Sequence, residues 1–142
     1  MEIERDITGT AWADVFAAPP LEALLAELEP EDREAFEAVS EALEGRWTGT
    51  LSWQGLPWRW AVAFGSGSPA LAYLVPDPRG PRVCVPVPAF GDGAPDPSKL
   101  TKAVRAVFER SAIIAGFVWA EWACADFDPV AAEPLLNARS GS

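Results

Sequence analysis

The residues with the most chemical content are the seven tryptophans, a high number for 142 residues. Four of them, Trp47, Trp53, Trp58 and Trp60, crowd into one short stretch. Indole rings offer large apolar faces, so a cluster of them can line a pocket for an apolar or cationic ligand. Arg59 sits between Trp58 and Trp60 and is a candidate ligand anchor, and Tyr73 on the following segment completes the candidate ligand-binding set. The competing reading is structural. The same tryptophans can form the core between a sheet and its helices, with Arg59 simply facing water.

The acids come next. Glu34, Glu37, Glu41 and Glu44 fall within a stripe of about 80° on one helix, at 100° per residue. Four carboxylates on one face can attract a hard cation such as iron through oxygen ligands. A charged stripe on an amphipathic helix is also the ordinary solvated face, and one stripe does not supply ligands from several directions. Lys99, Lys102, Arg105 and Arg110 form a later basic set, without one tight face. They suit a partner surface, a salt-bridge set with the acidic region, or plain solvation.

Absences narrow the chemistry further. There is no histidine. Ser-His and Cys-His nucleophile pairs, histidine metal ligands and the usual general base are therefore excluded. Cys84 and Cys124 stand 40 positions apart in apolar segments, without a C-x-x-C motif, and read as two buried small hydrophobes, with a disulfide or a redox pair as the sharper readings. Acid–base catalysis would fall to Asp, Glu, Lys, Cys or Tyr73, and no spaced carboxylate pair nominates itself.

Elements must position these residues, and the charge distribution shows where they change character. The net charge is −10 and the pI about 4.4, which argues against nucleic-acid binding because phosphate contacts need a basic surface. Residues 1–44 carry 13 acids and 2 bases, and the rest is nearly balanced. The first residues are acidic and lack the basic start and apolar run of a secretory signal. The longest uncharged apolar run, 112–120, is far short of the roughly 20 residues a membrane span needs. A cytoplasmic protein without membrane or nucleic-acid partners is expected.

Hydrophobic periodicity is helical before Gly45 and strand-like after it. Thr10 caps a short helix, Leu21, Leu24, Leu25 and Leu28 form a second, and Pro30 opens a third whose stripe is Phe36, Val39 and Leu43. Gly45 is expected to stop it in a left-handed conformation. Strands follow at 47–53 and 58–64 as a hairpin, then at 70–75 and 82–87. Alternation puts Trp58 on the same face as Trp60, Val62 and Phe64. Pro86 and Pro88, two apart, lack donors on the same side of their strand. That strand is expected at a sheet edge, or to end where pairing stops. A helix from Asp96 or Ser98 to about Arg110, a fifth strand at 117–125 and a helix from Pro129 to about Ala138 complete the pattern.

An acidic helix, then Trp53-Gln54-Gly55-Leu56-Pro57, then Ala70-Leu71-Ala72-Tyr73-Leu74-Val75-Pro76, a Val/Pro strand, a helix, a strand and a short helix make up the order of features. Over residues 31–138 this resembles the YdhG-like small bacterial domains of unknown function. The resemblance implies a compact α+β fold with an antiparallel sheet. Because some relatives are described as frataxin-like iron chaperones, it also implies a possible iron role for the acidic helix. No functional residue transfers with it.

The sequence therefore predicts one α+β domain spanning 1–142, with 1–18 as an N-terminal extension and 139–142 as a frayed tail. About five mostly antiparallel strands pack against N-terminal helices and one later helix. The leading function is a non-enzymatic binding or interaction domain without a cofactor, using the Trp-rich sheet face for a small molecule or protein partner, with a homodimer open. The alternatives are an acidic, frataxin-like iron or metal chaperone and a carboxylate-based enzyme.

Overall fold

The computed structural model describes residues 9–55, 58–67, 69–91 and 93–140. Helices α1 (Leu21–Leu25) and α2 (Pro30–Glu44) come first. Strands β1 (Gly49–Trp53), β2 (Trp60–Phe64), β3 (Ala72–Val75) and β4 (Arg82–Pro88) follow. Helix α3 (Lys102–Arg110), strands β5 (Ile113–Ile114) and β6 (Phe117–Ala123) and helix α4 (Glu133–Ser140) complete the chain. Among the described residues, no helix is long and apolar enough to cross a membrane.

Local chemistry explains most of these boundaries. Pro30 occupies the first turn of α2, where its missing N–H costs nothing, and Glu31 and Asp32 complement the helix dipole there. Thr101 caps α3 by accepting from the Val104 N–H at 3.2 Å. The end of α2 differs from expectation: Gly45 stays right-handed, at φ −67° and ψ −15°. The helix is closed instead by the Arg46 and Trp47 N–H groups, which both donate to the Leu43 carbonyl at 2.9 Å. The last helix begins at Glu133, after turns from Pro129, and runs to Ser140. It thus extends past the expected start of fraying at 139, and 141–142 lie outside the described residues.

The fold is α+β; among the described residues there are four α-helices and a six-stranded sheet in the order β1-β2-β3-β4-β6-β5. Every neighbouring pair is antiparallel. The strand beyond the expected five is β5. It pairs back onto β6 through a two-residue turn in which Ala115 and Gly116 both have positive φ, 54° and 83°. Such a turn suits the strand twist, and it splits an apolar run that the sequence alone presents as continuous.

Strand β4 is central, yet its prolines are accommodated. It pairs with β6 along its whole length but with β3 only from Arg82 to Cys84. The Ala89 N–H donates to the Gly116 carbonyl, and the Cys124 N–H donates to the Pro81 carbonyl. Odd-numbered residues therefore bond toward β6 and even-numbered ones toward β3. Pro86 and Pro88 lack donors only on the β3 side, beyond the point where β3 pairing stops.

The same parity divides the side chains between two faces. Val62 and Phe64, Ala72 and Leu74, Val83, Val85 and Val87, and Val118, Ala120 and Trp122 form one face. They pack against Phe36, Val39 and Leu43 of α2, Val104 and Val107 of α3, and Leu135 and Leu136 of α4. Each such side chain contributes about 1.5–3 kcal/mol on burial. Gly49 belongs to this packing, since a Cβ there would lie 2.7 Å from Val62 and 2.9 Å from Phe64. The helices cover this face, and on the other Ala61 and Val75 are closed over by Trp12 and by Leu24 of α1.

Candidate functional site

The second face carries Ala63, Tyr73, Cys84 and Glu121 as a row of cross-strand partners, with Trp119 opposite Pro86 in the next row. Trp58, just before β2, lies over this row. The pivot is Arg59, a non-glycine residue at φ 59°. Its N–H donates to the Gly55 carbonyl at 2.6 Å, and its own carbonyl accepts from the Gln54 N–H at 2.7 Å. A left-handed residue costs roughly 1–2 kcal/mol. It also breaks the two-residue alternation. Trp60 stays on the helix-covered side, while Trp58, two positions earlier, crosses to the other.

Trp58 thereby meets Tyr73, with ring centroids 4.8 Å apart, and Trp119, 6.0 Å away. Tyr73 and Trp119 lie nearly parallel at 6.3 Å. Cys84 and Ala70 are buried beneath these rings. Trp58 and Trp119 remain half-buried. With Gln54, Glu121 and the segment from Arg110 to Ile114, they line an open cleft of about 650 Å³. That is within the range of small-molecule sites.

The hydrogen-bonding groups around the cleft have an uneven balance. The Trp119 indole N–H donates to the Ile114 carbonyl at 3.1 Å. The Ser111 hydroxyl donates to the Val107 carbonyl at 2.6 Å, and the Gln54 amide N–H donates to the Ser52 hydroxyl at 2.7 Å. The Tyr73 hydroxyl accepts from the Ala70 N–H at 2.9 Å. Glu121 is fixed by Arg82 at 3.1 Å, and Arg82 reaches Asp77 with its other arm at 3.2 Å. Asp77, 4% exposed, is further held by Arg79 at 2.9 Å. Two acids and two arginines thus form one compensated network at the cleft's edge, which is how buried charge is tolerated.

The six candidate ligand-binding residues do not share one face. Trp47 packs half-buried against the main core. Trp53 meets Trp60 edge-on at 5.6 Å. Trp60 is buried, and its indole N–H donates to the Asp14 carbonyl at 2.8 Å. Arg59 stacks over the Trp12 ring at 5.2 Å, and its Nε is buried without a hydrogen-bond partner. It lines a separate 460 Å³ cleft beside residues 9–16. Only Trp58 lines the aromatic cleft, with Tyr73 beneath it. The expected Trp-rich hairpin face is therefore corrected to two aromatic clusters, because the Arg59 backbone breaks the alternation.

Within 1–18, the expected N-terminal extension, Trp12 is part of the core. It is 0% exposed, packs with Trp60, Ala61, Val75 and Leu24, and donates its indole N–H to the Trp60 carbonyl at 3.0 Å. Residues 1–8 lie outside the described residues. Sequence reasoning missed Trp119, Glu121 and the 110–114 segment. The signal for the first two was present in β6. Val118, Ala120 and Trp122 alternate with Phe117, Trp119 and Glu121, and the second set must point away from the core.

The four acids of the metal alternative stay exposed along α2. Glu37 pairs with Arg33 at 3.4 Å, and Glu44 accepts from Ser40. Among the described residues, no group of three or more Cys, Asp or Glu is placed to hold a metal ion. Of the basic set, Arg105 turns back to donate to the Pro97 and Leu100 carbonyls, and Arg110 lies exposed at the cleft. The two cysteines are free and buried on opposite faces of the sheet. Burial, reinforced by the Asp32 carboxylate, pushes the Cys124 thiol up to about 12. Burial, with Glu121 adding to it, pushes the Cys84 thiol up as well. Both are kept as unreactive thiols at neutral pH. Comparison with protein-family models, curated proteins and solved structures returns no match to this chain.

Proposed function

We propose that this protein is a binding module whose site is the cleft between Trp58 and Trp119, taking a small ligand with a flat apolar body. The observation that carries the reading is the contrast in aromatic exposure. Trp12 and Trp60 are consumed in the core, whereas Trp58 and Trp119 present half-exposed rings to a cleft of about 650 Å³. Large apolar rings left partly in water at the mouth of a cleft are the ordinary setting of ligand recognition.

The test is an NMR titration of the indole N–H signals with 2-naphthol. The Trp58 and Trp119 signals are assigned by replacing each in turn with Phe. Saturable shifts of these two signals are expected, with Kd about 1 mM or tighter, roughly −4 kcal/mol. Trp119→Ala should abolish the effect and Trp53→Ala should leave it. Absence of saturation, or equal shifts of all indole signals, would sink the reading.

A further inference from the structure

We infer that the ligand of the aromatic cleft is an organic cation, an ammonium or guanidinium group carried on the flat apolar body. This inference rests on the binding reading above and adds the charge class to it. The argument begins with the donors lining the cleft. The Trp119 indole N–H, the Ser111 hydroxyl and a Gln54 amide N–H are each already given to protein acceptors. The acceptors are less fully used. The Ser111 oxygen retains lone pairs, and the Gln54 side chain retains its carbonyl. Glu121 has two carboxylate oxygens, about four lone-pair directions, of which Arg82 takes one at 3.1 Å. Its side chain is 37% exposed, and it lines the cleft. Beside the two rings a ligand rich in N–H groups therefore meets acceptors, and the donors left for an acceptor ligand are the second Gln54 N–H and Arg110.

The rings point the same way. An indole face carries the negative lobe of its quadrupole, and Trp is the strongest of the aromatic side chains for holding a cation. Two such rings beside a carboxylate with one oxygen uncommitted offer a cation both a π face and an acceptor. Arg82 is shared between Glu121 and Asp77, at 3.1 and 3.2 Å, and bonds only one Glu121 oxygen. Arg79 and Arg82 balance Asp77 and Glu121 one for one, so the attraction comes from that free oxygen and the indole faces and not from net negative charge. Arg110 stands exposed at the cleft. It is the one lining group that opposes a cation, and it would receive an anionic substituent on the same ligand.

Three probes of one size separate the outcomes: 2-phenylethylamine, 2-phenylethanol and 3-phenylpropionate, titrated against the same indole signals. The amine should bind about tenfold more tightly than the alcohol, and the carboxylate should bind most weakly. Glu121→Gln should remove the amine's advantage and leave the alcohol unchanged. Arg82 keeps its Asp77 partner in that variant. Arg110→Gln should strengthen amine binding a few-fold. Should Glu121→Gln fail to fold, wild-type protein answers instead. Raising salt until the Debye length falls from about 10 Å to about 3 Å should weaken the amine and spare the alcohol. Equal binding of amine and alcohol would overturn the cation inference while leaving the cleft as a site. No saturable shift by any probe would overturn the binding reading itself.

Discussion

Two aromatic clusters lie on either side of one turn, and they have opposite fates. Trp53 and Trp60, register partners on β1 and β2, meet Trp12 at the end of the sheet. The indole N–H groups of Trp12 and Trp60 are satisfied by backbone carbonyls, those of Trp60 and Asp14 respectively. Trp58, Tyr73 and Trp119 assemble on the other face with two rings still half-exposed. Residue type does not separate the clusters, and neither does distance along the chain, since Trp58 and Trp60 are two apart. The backbone conformation at Arg59 turns Trp58 toward Tyr73 and Trp119, at the border where it still touches the Trp12–Trp60 cluster. An aromatic residue's role is thus set by which face its strand offers and whether helices already occupy it.

The largest effect should come from the sealed cluster. Trp60→Ala removes a buried indole and its hydrogen bond, and is expected to cost about 3–5 kcal/mol. Trp58→Ala, on the open cluster, should cost about 1 kcal/mol while abolishing probe binding. Urea unfolding of both variants tests this, and equal losses would erase the distinction between the clusters.

The next effect tests what fixes the open cluster's charged edge. Asp77→Ala leaves Arg79 and Arg82 without their shared carboxylate. A loss of about 2–3 kcal/mol is expected, toward the low side for a broken buried pair because both arginines are partly exposed. A loss under 0.5 kcal/mol would mean that solvent, rather than the network, holds Glu121 in place.

Arg59 sharpens the comparison most directly. Arg59→Gly relieves the left-handed strain but loses the stacking on Trp12 and adds chain entropy, so its stability should stay within about 1 kcal/mol of wild type. Arg59→Val cannot adopt that backbone cheaply and should cost about 2 kcal/mol. It should also shift the Trp58 indole signal, and an unmoved signal would show that Trp58 does not depend on this turn.

The smallest effect concerns α2. Changing Glu34, Glu37, Glu41 and Glu44 together to Gln removes like-charge repulsion but also the Arg33–Glu37 pair at 3.4 Å. Thermal unfolding should move by no more than about 0.5 kcal/mol, and ferrous-iron calorimetry should not differ between the two proteins. Saturable iron binding lost in the variant would return the metal alternative to first place.

Much of the fold was legible because local rules dominate it. Pro30 opens α2. The Phe36–Val39–Leu43 stripe and the alternation of β6 each bury one face by simple periodicity, and Pro86 and Pro88 announced where pairing must end. β5 was hidden because two exposed isoleucines make too short a pattern to read, and only pairing with β6 defines them. The left-handed stop expected at Gly45 failed because Leu43 could already take the Arg46 and Trp47 N–H groups.

By itself the sequence determined the composition of the site: many indoles, no histidine, acids concentrated before Gly45 and a Trp-rich hairpin. It could not assign those indoles to faces, because parity counts correctly only while the backbone stays extended. Arg59 carries no glycine-like mark of a left-handed turn, and its φ of 59° is held by bonds to Gly55 and Gln54. Trp119 and Glu121 come from a strand about 60 residues further on, and join Trp58 only because β6 pairs with β4. Only the tertiary structure could decide which tryptophans seal the core and which line a cleft, since that depends on which segments pack over each part of the sheet.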